Sequence, residues 1–271
     1  MHARDVSQTG HVDQQFKPSA EEIIPRMSHS DSDDELTLSA ATLAALQEFR
    51  NEETQRQEEF AKLANAAEED FESTKHKGIH LFKEDWQLSQ FWYSDETADT
   101  LADALLEGAD ENTVIAIVSA PSVYAAIKKR DEKTLPTEHI YLLEFDKRFE
   151  VLAGSDHFFF YDFADPTNLS DKLKGKVHRL LIDPPFLNEN CQTKSSITAK
   201  SLLVSDKSAK TKDNILQYRL ISCTGERMKD VIKKVYPNTH ITSFFPEHAN
   251  GLSNEFRCYA SFEWSKWKFA N

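Results

Sequence analysis

The chain has 271 residues, of which 39% are hydrophobic and 11% aromatic, and this size and composition suit one α/β domain with additional segments. Its net charge of −13 disfavours sequence-independent binding to nucleic acid, and its three cysteines have neither disulfide-framework nor metal-ligand spacing. No apolar run resembles a signal peptide or approaches the ~18 residues of a membrane span. We therefore expect a soluble protein of a reducing compartment, the cytoplasm, with no membrane partner.

The negative charge is concentrated at the amino-terminal end. Residues 1–73 contain 17 acidic and 6 basic residues, whereas the rest of the chain contains 28 and 26. Residues 1–35 are polar and acidic, which predicts a disordered tail. Residues 36–87 are predicted to form a helical arm and connector, because apolar residues recur at three- and four-residue steps over 39–72. The main domain is then expected over residues 88–271.

Strand and helix patterns alternate through the main domain. Ser94 is the expected cap of a helix that ends at Gly108, and Pro121 is expected to begin the next helix. Two further helices are predicted over 190–204 and 224–235. The expected strands are, in order, residues 114–118, 139–145, 157–161, 177–182, 214–222, 240–245 and 256–264.

This alternation predicts an α/β fold with a mostly parallel sheet that is covered by helices on both faces. Only a loop separates the last two strands, so one edge of the sheet should carry an antiparallel hairpin. In open α/β sheets, ligands bind beyond the carboxyl ends of the strands. Those ends fall at Ser119, Glu144, Asp162, Asp183 and Ser222, and the functional site is expected there.

The sharpest local signal is the loop Asp183-Pro184-Pro185-Phe186 at the end of a buried strand. The prolines fix the backbone and supply no N–H donors, and an ionised Asp183 only accepts hydrogen bonds. A rigid set of acceptors suits an amine, and Phe186 can cover the substrate or attract an ammonium through its ring face. The loop resembles the (Asp/Asn)-Pro-Pro-(aromatic) motif of amino-methyltransferases with a seven-strand, Rossmann-like sheet.

Two further strand ends carry acids suited to a nucleoside. Glu144 at the end of the second strand is our candidate for a ribose contact, with Asp146 as the alternative. Asp162 at the end of the third strand can accept from an adenine amino group, and Phe163 can flank the ring.

The first strand-to-helix turn departs from the usual nucleotide-binding pattern. It reads Ser119-Ala120-Pro121-Ser122 and lacks the glycines that let a backbone approach a ligand closely. Small residues and a helix amino terminus remain, so the turn can still receive a carboxylate.

Several blocks together resemble one narrower family, the elongation factor 1-alpha lysine methyltransferases, over residues 36–264. That family was first grouped with N6-adenine DNA methyltransferases because of its Asp-Pro-Pro-Phe loop. The blocks that carry the resemblance are Leu38–Phe49, Gln90-Phe91-Trp92-Tyr93-Ser94, the glycine-free turn Ser119–Tyr124, Leu143–Phe149, Asp183–Leu187 and Asn254–Tyr259.

The resemblance implies a class I, Rossmann-like methyltransferase fold and transfer of a methyl group from S-adenosylmethionine to a lysine of elongation factor 1-alpha. It also implies roles for particular residues. Glu144, Asp162 and Phe163 would hold the nucleoside of the cofactor, Ser119, Ala120 and Pro121 would face its methionine part, Trp92 and Tyr93 would lie beside it, and Asp183, Pro184, Pro185 and Phe186 would hold the lysine. Separately, the ten histidines show no metal-ligand spacing, so we expect no metal ion, and we expect a monomeric enzyme.

Two other functions fit the same sequence. An adenine N6-methyltransferase would stack Phe186 on a flipped base, and the lysines after the loop could then contact phosphates. Those lysines are Lys194, Lys200, Lys207, Lys210 and Lys212, which equally suit a solvated stretch. A binding module that has lost catalysis is the second alternative, for which the glycine-free turn is the main argument.

Overall fold

The computed structural model describes residues 47, 79, 82–84, 90–251 and 255–270. The chain divides into two units, residues 1–51 and 52–271, and every element named below belongs to the second. The predicted tail lies outside the described residues. So does the predicted arm helix, except for Gln47, which is helical and exposed, and the connector is described only at Ile79 and 82–84.

The described part of the second unit is built on a seven-stranded sheet. Strands β1 to β5 are parallel to one another, and β7 is antiparallel to both of its neighbours, β5 and β6. Across the sheet the order is β3-β2-β1-β4-β5-β7-β6. The strands are β1 (Ile115–Val118), β2 (Ile140–Glu144), β3 (Phe158–Phe160), β4 (Arg179–Ile182), β5 (Arg219–Gly225), β6 (His240–Ile241) and β7 (Phe256–Ala260).

Helices cover both faces of this sheet, as the alternation predicts. Ser94 caps α1 by accepting a hydrogen bond from the Thr97 N–H, Pro121 begins α2, and Gly108 follows α1 with a positive φ. The α-helices are α1 (Asp95–Leu106), α2 (Pro121–Lys128), α3 (Glu150–Ala153), α4 (Glu189–Leu202) and α5 (Lys229–Val235). Within the described ranges, no helix is both long enough and apolar enough to cross a membrane.

Alternate side chains of the strands build two separate hydrophobic cores. Ile117 and Leu181 belong to the core under α1 and α2, whereas Val118 and Ile182 belong to the core under α4 and α5. The side chains of β1 and β4 are buried on both faces, which is why their sequences are continuously apolar.

Two buried arginines connect the amino ends of β4 and β5 to the carboxyl end of α1. Arg179 and Arg219 are register partners on β4 and β5. Arg179 Nη1 donates to the carbonyls of Leu105 and Glu107, each at 2.7 Å, and Arg219 Nη1 donates to the carbonyl of Ala104 at 2.6 Å. Because the last carbonyls of a helix have no partners within it, the two guanidinium groups replace a polar cap.

The fifth strand is present, but it was predicted to begin and end too early. Residues 211–215 form a turn instead, in which the Thr211 N–H donates to the Ile215 carbonyl at 2.8 Å and Asn214 has a φ of 62°. Strand β5 begins only at Arg219 and continues to Gly225, because β7 pairs with it as far as Gly225.

The elements around the predicted hairpin are shorter than expected. A 3-10 turn over Glu226–Met228 precedes α5, so the helix does not begin at 224. The strand predicted over 240–245 is reduced to β6, and the strand predicted over 256–264 ends at Ala260. Antiparallel pairing of β6 with β7 confirms the edge hairpin.

Candidate active site

A cavity of about 270 Å³ lies beyond the carboxyl ends of the parallel strands. It brings together all twelve residues proposed from the sequence, although their individual roles remain predictions. The lining residues are Gln90, Phe91, Trp92, Tyr93, Ser119, Ala120, Pro121, Ser122, Glu144, Phe145, Tyr161, Asp162, Phe163, Asp183, Pro184, Pro185, Phe186, His248 and Phe256. Ser222 and Asp146 are not among them.

Asp183 directly follows β4, and one of its two carboxylate oxygens already accepts a hydrogen bond. Its Oδ2 accepts a hydrogen bond of 2.5 Å from the hydroxyl of Tyr93, while Oδ1 has no hydrogen-bond partner among the described residues. Burial raises the pKa of Asp183 to about 7, the charge of Glu144 adds to this rise, and the Tyr93 bond opposes it. The site therefore offers a free acceptor oxygen whose charge changes near neutral pH.

Glu144, at the end of β2, is oriented by its own loop. Its Oε1 accepts from the backbone N–H groups of Phe145 at 2.9 Å and Asp146 at 3.3 Å. Within the described ranges, Oε2 has no hydrogen-bond partner, although only 6% of the residue is exposed. Burial raises the pKa of Glu144 to about 7. A buried carboxylate oxygen that faces a cavity without a donor suits ligand hydroxyl groups.

Asp146 is occupied elsewhere. Arg148 donates to both of its carboxylate oxygens, with Nη2 at 2.5 Å from Oδ2, and Gln90 Nε2 donates at 3.0 Å. These bonds hold the pKa of Asp146 below its ordinary value, against its burial. Asp146 therefore holds Gln90 beside the cavity, and Glu144 is the acid that faces into it.

The glycine-free turn adopts a backbone conformation that usually favours glycine. Ser119 has a φ of 55°, in the left-handed region, directly after β1. Ala120 then precedes α2 without a side-chain cap, and Pro121 occupies its first turn. The amino terminus of α2 thus meets the cavity with uncapped N–H groups, which favour an anionic ligand group.

Aromatic rings surround the carboxylates. The rings of Phe163 and Phe186 meet edge to face at 5.5 Å, and Phe145 lies 5.5 Å from Phe160. Trp92, which also lines the cavity, is fixed by its indole N–H, which donates to the Phe82 carbonyl at 3.1 Å. The Oδ1 atom of Asp162 accepts from the Ala164 N–H at 2.7 Å, which fixes the turn after β3.

Comparison with known proteins identifies the family. The profile of a family described as probable N6-adenine methyltransferase matches residues 84–264. The protein-lysine N-methyltransferase EFM5 of Saccharomyces cerevisiae is 70% identical over 236 residues, which cover 87% of this chain and 95% of that protein. The chain belongs to the elongation factor 1-alpha lysine methyltransferase family.

Other members of this methyltransferase family are more distant. EEF1A lysine methyltransferase 1 of Gallus gallus is 37% identical and that of Homo sapiens is 36% identical, with 86% and 88% of this chain covered and 96% and 97% of theirs.

Among solved structures, a branched-chain polyamine synthase from Thermus thermophilus has a TM-score of 0.48 at 11% identity, covering 73% of this chain and 63% of its own. Likeness at that level says nothing about substrate.

Seven lining residues of this methyltransferase were not among the site residues proposed from the sequence: Gln90, Phe91, Ser122, Phe145, Tyr161, His248 and Phe256. The ring of His248 lies between that of Tyr93, at 4.8 Å, and that of Phe256, at 4.5 Å. Burial lowers the pKa of His248 to about 4, so the ring is neutral at physiological pH. Phe256 lies within a block that carried the family resemblance, which was the available signal, whereas His248 lies on a loop without one.

The Tyr93 hydrogen bond was also missed. Tyr93 was expected beside the cofactor, and the sequence gives no indication that its hydroxyl reaches Asp183, 90 residues away along the chain.

Proposed function

We propose that this methyltransferase transfers a methyl group from S-adenosylmethionine to a lysine side chain of translation elongation factor 1-alpha. The observation that carries the proposal is the Asp183 carboxyl, which presents a free oxygen beside two prolines and an aromatic wall. The names of the relatives, an EFM5 protein-lysine N-methyltransferase and EEF1A lysine methyltransferases, support the choice of lysine and of this protein substrate.

The chain's residues fit the cofactor. Oε2 of Glu144 would accept from the ribose hydroxyls, the uncapped start of α2 would receive the methionine carboxylate, and Phe145 and Phe163 would flank the adenine. Asp162 would accept from the adenine amino group, with Trp92 and Tyr93 beside the ligand. When bound, S-adenosylmethionine supplies a methyl group on a positively charged sulfur.

The part of the cavity that receives the lysine must bind its ammonium group and then allow it to lose a proton. A free lysine has a pKa near 10.4, so its nitrogen has to lose a proton before it can attack. Oδ1 of Asp183 would bind and orient the ammonium, and the rings of Phe186 and Phe256 would enclose its methylene groups. The proton would leave through water. Catalysis is then mostly positioning of the nitrogen in line with the methyl carbon.

The lysines that could have contacted phosphates do not support the adenine alternative. Lys200 and Lys207 line a separate cleft of about 490 Å³, which also includes Leu220 near the start of β5 and Tyr236 after α5. Lys212 pairs with Glu111 at 3.2 Å, and Lys194 Nζ donates to the Ala164 carbonyl at 3.0 Å. Lys200 lies in the last turn of α4, where its charge suits the helix carboxyl terminus, and Lys207 Nζ lies over the Tyr218 ring at 4.8 Å.

A transfer assay with labelled S-adenosylmethionine tests the proposal. Elongation factor 1-alpha and an adenine-containing duplex are offered in parallel, with Asp183→Ala as the inactive variant and Asp165→Ala, an exposed acid outside the cavity, as the matched control. We expect label in the protein, lost in Asp183→Ala and kept in Asp165→Ala. Label in the duplex, or near-normal turnover by Asp183→Ala, would contradict the proposal.

Calorimetry separates this enzyme from a binding module that has lost catalysis. Asp183→Ala should bind S-adenosylmethionine as the wild type does, because Glu144 and the start of α2 are untouched. The proposal also includes a monomeric enzyme in the cytoplasm that does not bind nucleic acid. Gel filtration, cell fractionation and a salt-dependent oligonucleotide binding assay check these three points.

A further inference from the structure

We propose that Tyr93 is a positioning residue for methyl transfer, whose hydroxyl fixes the Asp183 carboxyl so that Oδ1 faces the acceptor nitrogen. The inference rests on the proposed function and gives Tyr93 a role different from the cofactor contact that the family resemblance implies.

The geometry leaves the Tyr93 hydroxyl a single orientation for its proton. The hydroxyl donates to Oδ2 of Asp183 at 2.5 Å, and Tyr93 is only 3% exposed. A tyrosine carries one hydroxyl proton, so the oxygen can only accept from any other neighbour. With Oδ2 held in this way, the carboxyl cannot rotate without breaking this short hydrogen bond.

Cys223 lies beside this pair of residues. Ile182 and Ser222 are register partners, so the next residues, Asp183 and Cys223, are adjacent across β4 and β5. Cys258 faces Cys223 across β5 and β7, and both cysteines are fully buried. The Tyr93–Asp183 hydrogen bond is therefore shielded from solvent on the side of β5.

The backbone and the ring of Tyr93 are held as firmly as its hydroxyl. The residue on each side of it is tied to the loop between β6 and β7: Ser94 N–H donates to the Glu247 carbonyl, and Ala249 N–H donates to the Trp92 carbonyl, both at 2.8 Å. The ring of His248 covers the Tyr93 ring at 4.8 Å. Tyr93 is therefore a fixed reference point for the carboxyl beside it.

The bond to Tyr93 favours the ionised form of Asp183. Burial raises the pKa of this carboxyl and Tyr93 opposes the rise, so removal of the hydroxyl should raise the pKa further. The other titratable groups that face Asp183 or line the same cavity all remain in place when Tyr93 is changed. They are Glu144, Tyr161, Asp162, Cys191, Cys223 and His248.

Tyr93→Phe tests the inference, because it removes the hydroxyl and keeps the ring. We measure kcat/KM for elongation factor 1-alpha from pH 6 to 9 and plot the ratio of the variant to the wild type, which cancels the titration of the substrate lysine. The ratio should be reduced roughly 10- to 100-fold at pH 9 through lost positioning. It should fall by a further factor of about 10 toward pH 6, as expected for a rise of about one pKa unit.

Controls distinguish positioning from cofactor binding and from damage to the fold. The Kd for S-adenosylmethionine should change less than about twofold, and Tyr141→Phe, a half-buried tyrosine outside the cavity, should leave the ratio at one throughout. A flat ratio over the pH range, or a loss of cofactor affinity that accounts for the loss of rate, would overturn the inference. If Tyr93→Phe does not fold, His248→Ala, which removes the ring that packs on Tyr93, should shift the ratio in the same direction by a smaller amount.

A titration without substrate separates this inference from the proposed function. The ¹³C signal of the Asp183 carboxyl, assigned by its disappearance in Asp183→Asn, should titrate at higher pH in Tyr93→Phe than in the wild type. A wild type that methylates no lysine would refute the proposed function alone, whereas an unchanged titration would refute the role of Tyr93.

Discussion

Glu144→Gln is expected to weaken cofactor binding and to stabilise the fold at the same time. The substitution keeps the size and shape of the side chain, and a glutamine carbonyl oxygen can still accept from the N–H groups of Phe145 and Asp146. It replaces the free Oε2 with an NH₂ group, which cannot accept from a ribose hydroxyl.

The two effects can be estimated from the geometry and the charge. Loss of a charge-assisted hydrogen bond is worth about 1.5–3 kcal/mol, which corresponds to a Kd for S-adenosylmethionine that is roughly 10- to 100-fold weaker. Burial raises the pKa of Glu144 from 4.5 to about 7. The folded protein therefore carries an unfavourable charge above pH 7, at a cost of about 1–3 kcal/mol, and Glu144→Gln removes it.

The sign of the pH dependence follows from the raised pKa. Since the folded protein binds the proton more tightly than the unfolded chain, the stabilisation by Glu144→Gln should be complete above pH 7 and should vanish as the pH falls toward 4.5. In the wild type, cofactor affinity should decline below pH 7 as Glu144 becomes protonated, and in Glu144→Gln this decline should be absent.

Calorimetry with S-adenosylmethionine and urea unfolding at pH 6 and 8 measure both effects. Asp146→Asn is the matched control, because its carboxylate is bound by Arg148 and Gln90. It should lower stability and leave the cofactor affinity within about threefold. Strong loss of affinity in Asp146→Asn with little loss in Glu144→Gln would refute the assignment of Glu144 as the ribose contact.

Three further substitutions test the framework of the site. Arg179→Met should destabilise the protein by about 3–5 kcal/mol in urea unfolding, because it leaves helix carbonyls buried without donors. Arg130→Met, which removes a partly exposed ion pair, should change stability by less than about 1 kcal/mol. Equal effects of the two substitutions would contradict the capping role of Arg179. Gly108→Ala should destabilise by about 2 kcal/mol in thermal unfolding, because its φ is 62° and the new Cβ would meet Ile215 Cδ1 at 2.2 Å, and a neutral result would show that this turn relaxes freely. Gly225→Ala would bring a Cβ to 2.9 Å from Cδ1 of Leu187, directly after the Asp183 loop, and should lower kcat about tenfold. Its stability should change by less than about 1 kcal/mol, and unchanged kcat would mean that Leu187 moves aside without shifting Phe186.

The parts of the fold that the sequence predicted well are those with local causes. Strands β1 and β4 are buried on both faces, so their runs of apolar residues are unambiguous, and α1 is bounded by Ser94 and Gly108. The Asp183 loop is similarly local, because its prolines and its place after a buried strand can be read together.

The parts that the sequence did not predict depend on distant partners. Asn214 to Tyr218 has the residue types of a strand, but turn formation at Asn214 and the position of β7 decide where β5 begins and ends. Tyr93 and His248 come from segments more than 150 residues apart and meet only through the completed sheet. The left-handed conformation of Ser119 was not foreseen because a residue other than glycine rarely adopts it.

Helix α1 connects the amino ends of β4 and β5 with the site at the carboxyl ends of the strands. Arg179 and Arg219 donate hydrogen bonds to carbonyls at the carboxyl end of the helix, and Tyr93 directly precedes its amino-terminal cap, Ser94. Its 12 residues span about 18 Å, and the helix is buried along one side. We therefore expect a displacement of the arginines to shift Tyr93 and the Asp183 carboxyl, so Arg179→Met should slow methyl transfer even at temperatures where the variant remains folded.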